Sequence, residues 1–143
     1  VGEIHLTGPM VMTGYINKEP IDGDFNTDDI GYIDEDGFVY ILNRRKDLII
    51  SGGENIYPKE LEDLVYTLPS VKECVVVPVP DAKWGQVPAL FVAFHDGKSL
   101  PPEDILAFMT DFLAKYKIPK YVKALTALPR NGTGKILRNE LKL

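Results

Sequence analysis

The β-branched run from Val71 to Val79 (VKECVVVPV) constrains this chain more than any other segment. Side chains branched at Cβ are stiff and fit a pleated, half-buried surface better than a helix, so the run predicts a central β-strand. Ala89–Phe94 reads as a second strand, set off by a loop over Pro80–Pro88, and Tyr121–Leu125 as a third. Helices fit between them. Pro58 suits a first helical turn, Leu61, Leu64, Val65 and Leu68 then recur at helical spacing, and Pro69 ends the pattern. Pro101-Pro102 followed by Glu103 and Asp104 opens another helix, with Ile105, Phe108, Met109 and Phe112 on one face. The two helices are expected to cover one face of the sheet. Asn131–Gly134 reads as a flexible loop and Leu137–Leu143 as a short terminal helix.

The first third follows another pattern, of short strands and turns: Glu3–Thr7, Met10–Ile16, Gly31–Ile33 and Phe38–Leu42, with Asp36-Gly37 marking a hairpin. Gly14, Gly23 and Gly31 are assigned to turns. After Asn43 comes the basic cluster Arg44-Arg45-Lys46, then the strand-like Leu48-Ile49-Ile50. A boundary near Lys46 separates residues 1–45, a small antiparallel sheet, from residues 46–143. The fold class is α+β: a small three-stranded sheet with flanking helices, preceded by a short antiparallel β segment.

Composition narrows function mainly by exclusion. The longest nearly pure apolar run, Val75–Val79, is far shorter than the roughly 20 residues of a membrane helix, and no basic-then-apolar leader opens the sequence. Cys74 is the single cysteine, which excludes an internal disulfide and a cysteine-ligated zinc cluster; a reducing, cytoplasmic setting is the expectation. A chain that starts at Val1 and enters a strand at once reads as a piece of something longer. The net charge of −5 disfavours nucleic acid as a partner. That mean conceals an asymmetry: residues 1–36 carry −8, residues 37–114 carry −4, and residues 115–143 carry +7. The basic tail is either a solvated face or a site for phosphates.

Asn131-Gly132-Thr133-Gly134-Lys135 combines two glycines, a hydroxyl and one ammonium. It is not a P-loop, because Pro129 and Ile136 stand where that pattern needs a glycine and a hydroxyl residue. What remains is a mobile loop presenting the Lys135 cation, or a lysine that only solubilises. Ser51-Gly52-Gly53 is a second glycine loop, either a tight turn or a place where a ligand approaches bare backbone. Trp84 sits in a loop, where it either caps an apolar edge or stacks on a base. Tyr116 and Lys120, in Tyr116-Lys117-Ile118-Pro119-Lys120, have the composition of a nucleotide-binding segment. His5 and His95 lack ligand spacing and read as structural.

Together these stretches resemble the C-terminal part of the acyl-adenylating superfamily of acyl- and aryl-CoA synthetases, luciferases and peptide-synthetase adenylation domains. Phe25–Tyr32 resembles its Thr-Gly-Asp motif, Asn43–Asp47 its hinge motif, Ser51–Tyr57 its Gly-Gly-Glu-Asn-Ile loop and Pro129–Arg138 its catalytic-lysine motif. The resemblance implies AMP-forming ligation of a carboxylic acid to coenzyme A at the expense of ATP. It implies that Asp29 and Arg44 hold the ATP ribose, that Lys46 is the hinge between two half-reactions, and that Lys135 neutralises charge during adenylation. It further implies that Gly52 and Gly53 line the pantetheine path, with Trp84, Tyr116 and Lys120 receiving coenzyme A. The family's phosphate loop, magnesium-binding acid and acyl pocket have no counterpart here. The resemblance therefore implies a large N-terminal domain of the same protein that carries them, with residues 1–45 as its terminal β segment and residues 46–143 as the mobile C-terminal domain, and a 143-residue chain that does not complete the reaction alone. The alternative is a non-catalytic module that binds coenzyme A or a pantetheine arm through its basic tail. Two positions depart from the family pattern: Asp28 replaces a glycine and adds charge near a polyphosphate, and Asn43 replaces another, a residue that tolerates left-handed backbone.

Overall fold

The computed structural model describes residues 1–143, which divide into two units, Val1–Lys46 and Asp47–Leu143. In the first, β1 (Gly2–Leu6), β2 (Phe25–Ile33) and β3 (Val39–Arg44) form an antiparallel sheet in that order. The Asp34–Phe38 turn closes the β2–β3 hairpin: Asp34 Oδ1 accepts from the Asp36 and Phe38 N–H groups, and Gly37 takes the left-handed position at φ 85°. Met10–Ile16 is not a strand; it is a series of turns, with Gly14 at φ 152°. Gly31 is not a turn residue. It lies inside β2, where a Cβ would stand 2.3 Å from the Tyr40 carbonyl oxygen, so its missing side chain permits close strand approach.

The second unit is built on a five-stranded sheet. Its path is β5 (Glu54–Ile56), β4 (Ile49–Ser51), β7 (Gly85–Phe94), β6 (Val71–Asp81), and β8 (Tyr121–Ala124) runs parallel to β7. The strands expected over 71–79, 89–94 and 121–125 are all present; the β4–β5 hairpin around Gly52-Gly53 adds two more. The expected loop Pro80–Pro88 is largely strand, because β6 and β7 stay paired from Val71↔Phe94 to Asp81↔Gly85. Only the turn at Ala82–Trp84 remains.

The position of the valine run differs from the expectation. β7 is the central strand, and β6 has a neighbour on one side only. Its continuous burial comes instead from cover on both faces. Cys74 and Val76 join Leu90, Val92 and Ile49 beneath helices α1 (Pro58–Tyr66) and α2 (Pro102–Thr110), which contribute Leu61, Val65, Ile105 and Met109. Val75, Val77 and Val79 join Phe91 on the opposite face, where Leu128 and Leu141 of the C-terminal segment close over them. Pro78 and Pro80 are the sequence signs of this edge position, since proline cannot donate to a ladder. The segment over 137–143 is not a helix: one 3-10 turn at Arg138–Glu140 is followed by extended chain. Phe112 lies past the end of α2 and is 65% exposed. No helix is long and apolar enough to cross a membrane.

Candidate functional site

Three groups of side chains gather the residues singled out in the sequence. The first lies in the Val1–Lys46 unit, where Asp29 and Arg44 are direct partners in the β2–β3 register. Arg44 Nε donates to Asp29 Oδ1 at 2.9 Å, leaving the second carboxylate oxygen free to accept. Asp29 is placed by a bulge: β2 has Thr27, Asp28 and Asp29 between Asn26 and Ile30, where β1 has only Ile4 between Glu3 and His5. Asp28 sits in it at φ 59°, held by Asn26 Oδ1, which accepts its N–H at 2.8 Å. Thus Asp28 stands in left-handed backbone, the conformation that glycine adopts without strain. Asn43 is not left-handed. It is buried in β3 opposite Ile30, and its Nδ2 donates to the Arg44 carbonyl at 3.1 Å. Lys46 lies in the 3-10 turn Arg45–Asp47, at the boundary between the units.

The second group lines a groove of about 600 Å³ in the Asp47–Leu143 unit. Gly52, Trp84, Tyr116 and Lys120, far apart in sequence, all face it, together with Lys115 and Ile118. Gly52 and Gly53, at φ 59° and 91°, form the two-residue turn of the β4–β5 hairpin, and Gly52 N–H donates to the Trp84 carbonyl at 3.0 Å. A Cβ on Gly52 would stand 2.6 Å from Trp84 Cε3, whereas one on Gly53 would meet nothing. Part of the bareness of this loop is therefore used by the Trp84 ring, and Gly53 is the glycine that faces open space. The ring also carries the Lys83 ammonium 4.5 Å from its centroid.

Asp81 holds this wall of the groove. Its Oδ1 accepts the Lys83 and Trp84 N–H groups at 2.8 and 3.0 Å, and its Oδ2 pairs with Lys120 Nζ at 2.5 Å. The Lys120 ammonium and those two N–H groups hold the Asp81 carboxyl down to about 2, and Asp81 in turn raises Lys120. Sequence reasoning missed Asp81; the Asp-Ala-Lys-Trp-Gly string, an acid two and three residues before N–H groups in a tight turn, was the available signal.

The third group is the hairpin that carries Lys135. It is not a loose loop. Asn131 Oδ1 accepts from the Thr133 N–H, the Thr133 hydroxyl and the Lys135 N–H, at 3.1, 2.8 and 2.8 Å. Asn131 N–H donates to the Lys135 carbonyl at 2.9 Å, and Gly134 takes the left-handed position at φ 85°. The Lys135 side chain makes no ion pair and does not line the groove. Elsewhere, burial pushes the Cys74 thiol up to about 12, which leaves it inert beside α1. No group of three or more His, Cys, Asp or Glu side chains converges to hold a metal ion.

A sheet with two covering helices, a glycine hairpin beside a groove and a separate lysine hairpin fit the domain that the sequence resembles. The chain belongs to the AMP-binding enzyme C-terminal domain family, which matches residues 60–135. It is 58% identical over 142 residues to 2-succinylbenzoate–CoA ligase of Lactococcus lactis, covering 99% of this chain and 31% of that protein. It is 49% identical over 147 residues to the ligase of the same name from Bacillus cereus, covering 99% of this chain and 30% of that one. Among solved structures, o-succinylbenzoate CoA synthetase of Bacillus subtilis in complex with its acyl-adenylate intermediate matches with a TM-score of 0.90 and 45% identity, over 99% of this chain and 30% of that chain. ATP-bound MatB from Rhodopseudomonas palustris matches with a TM-score of 0.77 and 42% identity, over 82% of this chain and 23% of that one. The chain thus spans about 30% of the length of the ligases it matches.

Proposed function

We propose that this chain is the C-terminal part of an AMP-forming 2-succinylbenzoate–CoA ligase of menaquinone biosynthesis, working in the cytoplasm. The 58% identity to the Lactococcus lactis ligase, continuous over 142 residues, carries the reading. In this proposal a carboxylate oxygen attacks the α-phosphorus of ATP, and the bond to pyrophosphate breaks to give an acyl-adenylate. The coenzyme A thiol then loses its proton and attacks the acyl carbon, and the bond to AMP breaks.

Each group of side chains has a part. Asp29, with one oxygen free and the other fixed by Arg44, accepts the ribose hydroxyls of ATP. The unpaired Lys135 ammonium neutralises charge on the carboxylate and α-phosphate as they meet. Lys46 is the hinge, and residues 46–143 are the domain that moves about it. The groove receives coenzyme A. Gly53 offers bare backbone to pantetheine, Trp84 and Tyr116 offer aromatic faces, and Lys120 offers a charge to phosphate that it otherwise gives to Asp81. Lys83 would leave the Trp84 ring when a base stacks there. In this proposal the magnesium ion that accompanies ATP is held by the upstream domain.

A panel of aromatic and aliphatic acids, offered to the full-length protein and scored by pyrophosphate release, tests the reading. It predicts that 2-succinylbenzoate is used best and that residues 1–143 alone release none. Preference for another acid would overturn the substrate assignment. Exchange of pyrophosphate by the chain alone would overturn the division of labour.

A further inference from the structure

The Lys135 hairpin is anchored to the sheet by groups that its own turn chemistry does not require. Glu73, on β6, has a side chain only 14% exposed and spends both oxygens on the segment leading into the hairpin. Its Oε1 accepts the Leu128 N–H at 3.1 Å, and its Oε2 pairs with Arg130 Nη2. Arg130 then reaches across the hairpin with its other nitrogen, Nη1, and donates to the Gly134 carbonyl at 2.6 Å. That carbonyl belongs to the peptide whose nitrogen is Lys135 N. A continuous path of charge-assisted hydrogen bonds therefore runs from β6 to the residue before the lysine.

The far end is tied down independently. Arg138 Nη1 donates to Glu62 Oε1 at 2.9 Å and to the Val76 carbonyl at 2.7 Å, and its Nη2 donates to Glu62 Oε2 at 3.2 Å. Two guanidinium–carboxylate pairs thus bracket Lys135, one on each side. A long, flexible ammonium chain can serve as a placed charge only if its backbone is fixed, because it has no partner of its own to fix its head.

We infer that Arg130, locked by Glu73 and bonded to the Gly134 carbonyl, is a positioning residue that sets the pose of Lys135 for the adenylation step. The inference rests on the adenylating role proposed for Lys135. Glu73 is well suited to the lock: burial alone would raise its carboxyl, but the Leu128 N–H and Arg130 outweigh it and keep the group ionised.

Two measurements test it. In the 143-residue chain, Arg130→Met should speed amide exchange at Asn131 and Lys135 by about tenfold or more through local opening, while Val76 and Val92 keep their protection. In the full-length protein, Arg130→Met should slow acyl-adenylate formation on the order of 10- to 100-fold, the scale for misplacing one group by a fraction of an ångström to an ångström. Conversion of supplied acyl-adenylate to thioester should be unchanged, and Arg130→Lys, which cannot reach both Glu73 and Gly134 at once, should restore only part of the loss. Glu73→Gln, which keeps an acceptor for Leu128, should reproduce the defect should Arg130→Met not fold. Hairpin amides as protected as in the wild type, or equal slowing of both half-reactions, would overturn the inference. Lys135→Ala serves as the control: undiminished adenylation there would mean that the proposed role of Lys135 has failed, and amide exchange alone then decides the anchor.

Discussion

Asp81 shows how much one carboxylate can organise. It fixes the Trp84 turn through two backbone N–H groups and orients Lys120, and with its carboxyl held at about 2 its stabilising contribution is complete above the ordinary carboxylate range. Because the folded value is depressed, that contribution is lost as pH falls from about 4 through 2. Acid titration followed by Trp84 fluorescence should therefore show a transition in this window that Asp81→Asn removes. Gly52 makes the complementary case. Alanine there meets both a left-handed backbone and the Trp84 ring, so Gly52→Ala should destabilise the domain by about 1–3 kcal/mol, read from urea unfolding. In the full-length protein, Trp84→Ala should raise the Michaelis constant for coenzyme A and leave that for ATP nearly unchanged; equal effects on both would mark a packing role. Single residues were only partly legible in the sequence. Gly52, Trp84, Tyr116 and Lys120 stand out in the sequence for their residue types, and they share one groove. The sequence marks Asp28 only as an added charge and not as left-handed backbone, because a bulge between strands leaves no mark beyond the Asn-Thr-Asp string.

Among the elements, β6 is the informative one. Its apolar run gave away a strand, but a run buried on both faces looks the same at the centre of a sheet and at an edge covered by other groups. The open edge is blunted by side chains: Glu62 Oε1 accepts the Val76 N–H at 2.8 Å, Arg138 donates to the Val76 carbonyl, and the Tyr66 hydroxyl donates to the Cys74 carbonyl at 3.4 Å. An ion pair here does what a neighbouring strand would do, satisfying both backbone groups of one residue. Glu62→Ala removes the acceptor and leaves Arg138 only its longer contact with Asp47, whose Oδ2 lies 3.9 Å from Nε. It should cost about 2–4 kcal/mol in urea unfolding, with faster amide exchange concentrated at Val76. A loss spread evenly over β6 and β7 would argue against edge protection. The helices were legible because their apolar spacing and prolines are local signals, and Pro58 and Pro102 do open α1 and α2. The terminal segment was misread because Leu137 and Leu141 are spaced as in a helix, yet Leu141 packs on the β6–β7 face from extended chain.

In the whole molecule, the proposed function gives two jobs to two surfaces of one domain. The Lys135 hairpin carries an unpaired cation on a braced backbone, while the groove beside Gly52 and Gly53 carries aromatic faces and a paired cation. In the proposed function these serve different steps, adenylation and thioester formation, and Lys46 in its 3-10 turn is the pivot between them. The charge asymmetry legible in the sequence fits that assignment, since Lys135, Lys120 and both anchoring arginines fall in the basic tail. The most direct measurement is a pair of half-reaction rates, adenylate formation and thioester formation from supplied adenylate, on two variants of the full-length protein. Lys135→Ala should lose on the order of 10²- to 10³-fold in the first and keep the second, the scale for removing one preorganised electrostatic contact. Lys46→Pro should keep the first and lose the second, because proline fixes φ where the pivot must turn. Equal slowing of both steps by Lys135→Ala, or an unimpaired second step in Lys46→Pro, would contradict the division of the two half-reactions between the two surfaces.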